Sequence, residues 1–499
     1  MMNKLAKLFE FGEIDSAADA RSENTPPDKL TQAELAPALS ASVARSSKSV
    51  AIIGGGLAGM AAATVLSQRG LQIDLFEQSD RLGGRAGSME EPWNGQVIDQ
   101  CQHVAMGCCG SFLDFCRRTG VKDCFQRHKT LHFIGPDGRQ SDITAAAWLP
   151  APLHLLPGLF GLKYLTKQEC WSIARTLRKL NRLKISVENS LDTIGLWLQQ
   201  QGQSGELIEK FWSTIIVSAL SETVDNASLF AAKKVFADGF MSSRNAYELI
   251  IPRVPLGEIF DRRVPEWLER QGVIIHRGAR VAEITFREKG AVSVFLYNGN
   301  AQDFDAAIVA VPWFEAPNLF SASPANFPLK LKRVILSSST ANFLMKLVAL
   351  KQIPFASITV VHLWFDRPIT PLPHAALVGK LSQWIFNSSS YCQVVISASH
   401  RVVIRYKQDE LLKIVLADLA AVFPDARQAT LLNSRIVTMP RAVISLQPGV
   451  DQLRPSQKTG TPNSFLAGDW TATGWPGTME GAVRSGYLAA KELLKYLGQ

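Results

Sequence analysis

Residues 49–77 hold the feature that most limits what this chain can fold into. Ser49-Val50-Ala51-Ile52-Ile53 is a short strand-forming run, and it leads straight into Gly54-Gly55-Gly56-Leu57-Ala58-Gly59. Met60 to Gln68 follows with helix formers whose apolar spacing suits packing on a sheet. Leu71 to Phe76 reads as a second strand and ends at Glu77. Strand, glycine turn, helix and second strand make a βαβ unit that carries a dinucleotide. Gly54 permits the tight turn, Gly56 lets backbone approach a pyrophosphate, and Gly59 lets the helix lie close to the strand. Leu57 and Ala58 open the helix, whose N-terminal N–H groups face the phosphates. Glu77 stands about 20 residues beyond the glycines, where a carboxylate accepts hydrogen bonds from a ribose and disfavours a 2′-phosphate. Gln78, beside it, joins the candidate cofactor-binding residues.

A second loop follows, Arg81-Leu82-Gly83-Gly84-Arg85. Its glycines let backbone lie flat against a cofactor, and rigid guanidinium forks on Arg81 and Arg85 reach a pyrophosphate or a flavin edge. A plain NAD dehydrogenase has no need of this loop. Glu77 through Arg85 resembles the signature of the flavin amine oxidase and phytoene desaturase superfamily. The tail agrees: Ser464 to Ala467 is strand-like, Gly468-Asp469-Trp470 follows, and Gly474 to Ala482 opens an apolar helix running to about Leu497. The resemblance implies FAD. It places Asp469, with Gly468, by the ribityl chain, and the backbone of Thr478 and Met479 at the flavin pyrimidine ring. There a helix dipole favours negative charge on the reduced ring. Glu480 is either part of that site or an ordinary acid in a first helical turn. The resemblance also sets the backbone of Val281 against the adenine, and makes Ala306 to Val311 the strand that returns to the nucleotide sheet.

The implied fold class is α/β. A Rossmann-type FAD-binding domain of the glutathione-reductase and amine-oxidase kind is built from 49–135, 247–315 and 436–499. A discontinuous α+β substrate domain takes 136–246 and 316–435, and 1–48 is a flexible extension with a short amphipathic stretch at 2–12. Within 136–250 the pattern reads as mostly helical. Ser357 to Phe365 and Val402-Val403-Ile404 read as strands.

More particular segments narrow the resemblance. They are Val97 to Val104, Met106-Gly107-Cys108-Cys109, Ile251 to Leu256, Val361 to Asp366 and Gln383 to Phe386, with the tail around Trp470 and Trp475. Together they are similar to the hydroxysqualene dehydroxylase family. One departure is Cys101, where that family's pattern carries Gly. The resemblance implies reductive removal of a hydroxyl from hydroxysqualene to give squalene, a precursor for hopanoids or sterols. The other readings are a carotenoid desaturase, an amine oxidase, and a non-enzymatic FAD-bearing or membrane-docking protein. Loss of an allylic hydroxyl needs a proton donor and a dry apolar cavity. His103 is the candidate donor and Asp99 its candidate orienting partner, because histidine titrates near neutral pH. Alternatively Asp99 and His103 are polar side chains of a turn that cap backbone. His362 lies in an apolar run and reads as structural, whereas Arg253 either contacts the cofactor or holds a loop.

Charge and cysteines bound the partners. The net charge of +9 fits a solvated basic surface, and no aromatic–basic interleaving points to nucleic acid. Seven cysteines without zinc-like spacing imply no metal and suggest reduced thiols in the cytoplasm. No apolar run is long enough for a membrane-spanning helix. Trp148 to Leu165 is apolar and broken by prolines, and 163–184 is strongly basic. That pairing suits either peripheral docking of 148–184 on the inner face of an anionic membrane or a core-packing loop beside a solvated helix. The implied partners are a long isoprenoid lipid and an external electron donor, since the one dinucleotide fingerprint is taken by FAD.

Overall fold

A computed structural model describes residues 46–187, 191–286, 290–320, 347–461 and 463–499. These fall within one compact unit, Ser42–Gln499. The expected flexible extension, apart from residues 46–48, lies outside the described residues.

The nucleotide half is a five-stranded parallel sheet made of β1 (Ser49–Ile53), β2 (Gln72–Phe76), β3 (Val273–His276), β4 (Ala306–Val309) and β5 (Ser464–Leu466), in the order β3–β2–β1–β4–β5. Ala51, Ile52, Ala306, Ala307 and Ile308 are fully buried, as central parallel strands covered on both faces require. The register pairs Ile53 with Phe76 and with Val309, and Val309 with Leu466. The C-terminal ends of β1, β4 and β5 therefore lie side by side. Gly54, Ala310 and Ala467, which follow those strands, extend the ladder: Gly54 donates to the Phe76 carbonyl at 2.8 Å, Ala310 to Ile53 at 2.7 Å and Ala467 to Val309 at 2.8 Å. This edge is where open α/β sheets bind ligands.

Helix α1 (Leu57–Ser67) leaves the glycine turn, α2 (Gly110–Arg118) follows the second loop, and α3 (Met479–Leu497) closes the chain. Helix α1 consists largely of small and apolar residues buried around most of its surface. Part of that burial comes from α3. A Cβ on Gly486 would stand 2.2 Å from the Ala58 carbonyl oxygen, so the two helix backbones touch there.

The second half is a seven-stranded sheet, in the order Leu431–Ile444, Phe355–Phe365, Tyr391–Ser397, Trp384–Ser388, His374–Leu377, Thr130–Ile134, Gln140–Thr144. All neighbours are antiparallel except His374–Leu377 against Thr130–Ile134. Alternation along Tyr391–Ser397 serves two purposes. Val394 and Ile396 pack with Leu411, Val415 and Leu419 of the helix Gln408–Val422, whereas Val395 and Ser397 face a cavity. Helices between 156 and 240 complete this half, and Ile208–Ser213 and Lys234–Phe240 are wide-turn π-helices.

Three expectations meet the structure here. Val402-Val403-Ile404 is not a strand but part of the helix His400–Arg405. Its β-branched residues favour a sheet only where a strand edge accepts them, and Ile404 is 85% exposed. A domain limit at 135 runs through the hairpin Thr130–Ile134/Gln140–Thr144, and one at 435 runs through the strand Leu431–Ile444. Within 148–184, Trp148 is exposed, while the basic helix Lys167–Arg182 buries Cys170, Ile173, Ala174 and Leu180 along one side. Among the described residues no helix is long and apolar enough to cross a membrane.

Candidate active site

A continuous cavity of about 750 Å³ opens at the C-terminal edge of the parallel sheet. Its nucleotide end is lined by Gly54, Gly56, Leu57, Ala58, Glu77, Gln78 and Val281, then by Gly83, Gly84 and Arg85 of the second loop. Gly468, Asp469, Thr478 and Met479 of the tail complete it. Sheet order thus brings together motifs that are hundreds of residues apart.

The residues fit a dinucleotide. Nothing stands within 4 Å of the point where a Cβ on Gly56 would lie, so that backbone is open to a ligand. No side chain caps α1, which leaves its first N–H groups for phosphate oxygens. Gly54 has φ +112°, and a Cβ there would meet the Ala310 carbonyl oxygen at 2.7 Å. Gly59 does not line the cavity; a Cβ on it would come within 2.0 Å of the Gly54 carbonyl oxygen, so it shapes the turn from behind. Glu77 is buried, and its carboxylate accepts the N–H of Gly55 at 2.8 Å and that of Ser79 at 2.9 Å. It anchors the turn as well as facing the cavity.

The two arginines part company. Arg85 reaches Asp469 at 2.5 Å and the Ala442 carbonyl at 2.7 Å, joining the second loop to the tail and to the seven-stranded sheet. Arg81 is exposed, does not line the cavity, and bonds the Ser88 carbonyl. Gly83 and Gly84, both with positive φ, turn the chain between them. The bond to Ser88 lets Arg81 hold the loop. Arg253 is also outside the cavity and exposed, with its backbone N–H on the Cys124 carbonyl.

His103 lines the cavity, but Asp99 does not. The His103 Nδ1 lies 2.9 Å from the Cys101 carbonyl oxygen. Asp99 instead accepts the Ser88 hydroxyl at 2.6 Å and the Leu256 N–H at 2.7 Å, both on one carboxylate oxygen. Asp99 therefore ties three chain segments together and does not orient His103. Their spacing of four would align them on a helix, yet Val97–Asp99 is a strand and residues 102–104 are irregular. Burial lowers the proton affinity of His103, the Cys101 carbonyl raises it, and Arg85 lowers it further; the net shift is downward. His362 is buried off the cavity, bonded to the Tyr391 hydroxyl at 2.8 Å, and burial pushes it down to about 4. Cys101 also faces the cavity, and burial raises its thiol to about 12. Among the described residues no three His, Cys, Asp or Glu side chains are grouped to hold a metal.

Burial lifts the Asp99 carboxyl from 3.8 to about 6 against its two hydrogen bonds. Below the lower value both folded and unfolded chains hold the proton. As pH rises through the window the unfolded chain ionises first, so the folded state loses stability, by at most about 3 kcal/mol. Asp99→Asn keeps the acceptor oxygen without the charge. Urea unfolding of the apoprotein should show the variant about 1–3 kcal/mol more stable than wild type at pH 7.5, with the curves converging near pH 4. Equal stability at pH 7.5 would show that the carboxylate is not strained by burial.

Thr478 caps α3 by accepting the Gly481 N–H at 3.2 Å. Glu480 does not serve its own helix. Its carboxylate, 2% exposed, accepts the N–H groups of Ser111 at 3.1 Å and Phe112 at 2.8 Å, capping the start of α2.

Beyond the nucleotide end, the cavity runs between the π-helical region and the seven-stranded sheet. Ile215, Val235 and Phe240 form one wall; Phe133, Ile358, Trp384, Phe386, Val395 and Met439 form the other. The Trp384 ring N–H is satisfied by Ser218 at 2.7 Å, which leaves its ring face as apolar surface. Lys234 stands on the first wall and was missed by sequence reasoning. Lys233-Lys234 reads as a solvated helix face, and nothing local in sequence announces a π-helix that turns one of the pair inward.

The profile of the flavin containing amine oxidoreductase family matches residues 57–494. A zeta-carotene desaturase of Synechocystis sp. is 24% identical over 489 residues, covering 89% of this chain and 97% of its own. A hydroxysqualene dehydroxylase of Zymomonas mobilis is 25% identical over 453 residues, covering 89% of this chain and 99% of its own. Cyclohexylamine oxidase from Brevibacterium oxydans superposes with a TM-score of 0.65 at 17% identity, over 91% of this chain and all of that structure, which supports the fold alone. The profile runs from the start of α1 through both cavity walls to the tail that meets them; the chain belongs to the flavin containing amine oxidoreductase family, and its cofactor is FAD.

Proposed function

We propose that this FAD-dependent oxidoreductase removes the hydroxyl of hydroxysqualene reductively, releasing squalene. The observation that carries the reading is the cavity beyond the nucleotide end. Its walls are apolar enough for an isoprenoid chain, yet His103 and Lys234 give a hydroxyl polar company. A polyene hydrocarbon has no use for those two groups. A diamine would need acidic partners, and among the described residues the wall of Ile215, Val235 and Phe240 and the facing sheet strands carry none, the cavity's carboxylates (Glu77, Glu315, Asp469 and Glu480) standing elsewhere on its lining. The relatives named as hydroxysqualene dehydroxylase and zeta-carotene desaturase are in keeping with a long isoprenoid substrate.

When bound, FAD supplies the two-electron change, recharged by an external donor. The chain's own residues do the rest. Glu77 and the α1 terminus bind the nucleotide, Arg85 and Asp469 tie the tail over it, and the apolar walls exclude water from the reacting carbon. The test is an anaerobic incubation of dithionite-reduced holoprotein with hydroxysqualene, with extraction and mass analysis. Squalene should appear as flavin colour returns. No squalene, with oxidation of phytoene or zeta-carotene by the oxidised protein, favours the desaturase; peroxide release from amines favours an amine oxidase.

Exposed Trp148 and the basic helix Lys167–Arg182 support a second contact, with an anionic membrane surface from which the lipid is drawn. Sedimentation with phosphatidylglycerol vesicles should fall several-fold in Trp148→Ser, and likewise in about 1 M salt, where charges are screened beyond roughly 3 Å. Equal sedimentation with neutral phosphatidylcholine vesicles would remove the electrostatic basis.

A further inference from the structure

We propose that Lys234 is the acid that gives its proton to the departing hydroxyl, poised by Asp238 and the ring face of Trp475. The inference rests on the hydroxysqualene reading and names the group that reading lacks.

Three observations converge on this side chain. First, Lys234 opens the π-helix Lys234–Phe240, whose Val235, Gly239 and Phe240 also line the cavity. Wide turns of this kind recur at functional sites, because they redirect side chains that a regular helix would aim elsewhere. Second, among the described residues Lys234 is the one ionisable side chain on the wall that holds Ile215, Val235 and Phe240 and on the facing strands of the seven-stranded sheet. Third, its ammonium is held at both ends. It lies 2.8 Å from the Asp238 carboxylate and 5.4 Å from the Trp475 ring centroid. Trp475 stands three residues before Thr478, the cap of the helix whose start lines the nucleotide end of the cavity. Lys234 is therefore at the junction between the apolar walls and the flavin end.

The ion pair also has a direction. The Lys234 side chain is 10% exposed and that of Asp238 is 51% exposed. An i,i+4 pair on a helix surface is worth only a few tenths of a kcal/mol, and both members are usually wet. Here one member faces an apolar cavity and the other faces solvent. That is the layout needed to lose a proton inside and recover one from outside. His103 fills the role less well, because burial and Arg85 disfavour its cation.

The step balances. The C–O bond breaks with its electron pair on oxygen, and the Lys234 proton completes the water that leaves. The allylic carbon then takes a hydride from two-electron-reduced flavin, the reductant being dithionite in the test. The neutral Lys234 amine regains a proton from solvent at the Asp238 end.

The test compares wild type with Lys234→Met, Lys234→Gln and Lys234→Arg in single turnovers of dithionite-reduced holoprotein with hydroxysqualene. Arginine keeps the charge but does not give up its proton. All three variants should form squalene at least about 100-fold more slowly, the usual reach of a positioned acid. A readout without turnover accompanies this. In oxidised holoprotein, tryptophan quenching should report tighter binding of hydroxysqualene than of squalene, and Lys234→Met should erase that preference while binding squalene normally. A Lys234→Arg or Lys234→Met protein within threefold of wild type, with wild type making squalene, overturns the role of Lys234 and leaves the hydroxysqualene reading standing. Wild type that leaves hydroxysqualene unchanged overturns both. Should the methionine variant fail to fold, the glutamine and arginine variants decide between these outcomes, their folding being checked by flavin content.

Discussion

Gly486→Val will cost the protein its FAD and more than about 3 kcal/mol of stability. The cause is backbone against backbone. A Cβ at Gly486 would lie 2.2 Å from the Ala58 carbonyl oxygen, 3.0 Å from the Ala61 Cβ and 3.0 Å from the Ala62 nitrogen. No flexible side chain stands there to swing away, so α3 must move off α1. Each helix starts at the cavity: α1 at the glycine turn, α3 at Thr478 and Met479. Prying them apart spoils both ends of the flavin site at once. Calorimetry and the flavin absorbance of purified protein measure the two losses. Gly205→Ala is the control, since a Cβ there meets nothing within 4 Å. A valine variant with full flavin and a wild-type melting curve would mean that the helices do not touch as described.

Glu480→Ala should be nearly as damaging, at about 3 kcal/mol. The first N–H groups of any helix lack partners within it. At α2 the Glu480 carboxylate satisfies two of them from another helix, in a place almost closed to water. Burial pushes this carboxyl above the usual glutamate range, and the two N–H bonds pull the other way. Alanine leaves both donors buried and unmet. Glu480→Gln should rank between the two, because one oxygen still accepts while the amide nitrogen opposes the second N–H. The order wild type, Gln, Ala in urea midpoints tests the assignment. An alanine variant as stable as wild type would show that water replaces the carboxylate at little cost.

Much of this architecture is written locally in the chain. The run from Ser49 to Glu77 is legible because each part obeys a strict steric demand: buried strands, a turn with no room for a Cβ at Gly54 or Gly59, a helix of small residues. The tail is legible for the same reason. What escapes a linear reading depends on partners far away. Arg81 and Arg85 flank the glycine pair with equal reach on paper, and only the positive φ of Gly83 and Gly84 sends one to Asp469 and the other to Ser88. Asp99 and His103 share a spacing that would unite them on a helix, but the chain there is strand and coil. Val402 to Ile404 has strand chemistry without a strand to pair with. Glu480 is visible as an acid near a helix start, yet the helix it serves is α2, more than 350 residues earlier.

The link between Arg85 and Asp469 spans 384 positions of the chain. Ribosomes emit those positions in order. The glycine turn therefore leaves the exit tunnel long before β5, Asp469 and α3 exist to meet it. Until they arrive, the nascent chain exposes the α1 flank that α3 will cover and has only part of the nucleotide end of its FAD pocket. A complete coenzyme pocket therefore has to wait for the last stretch of the chain to be made.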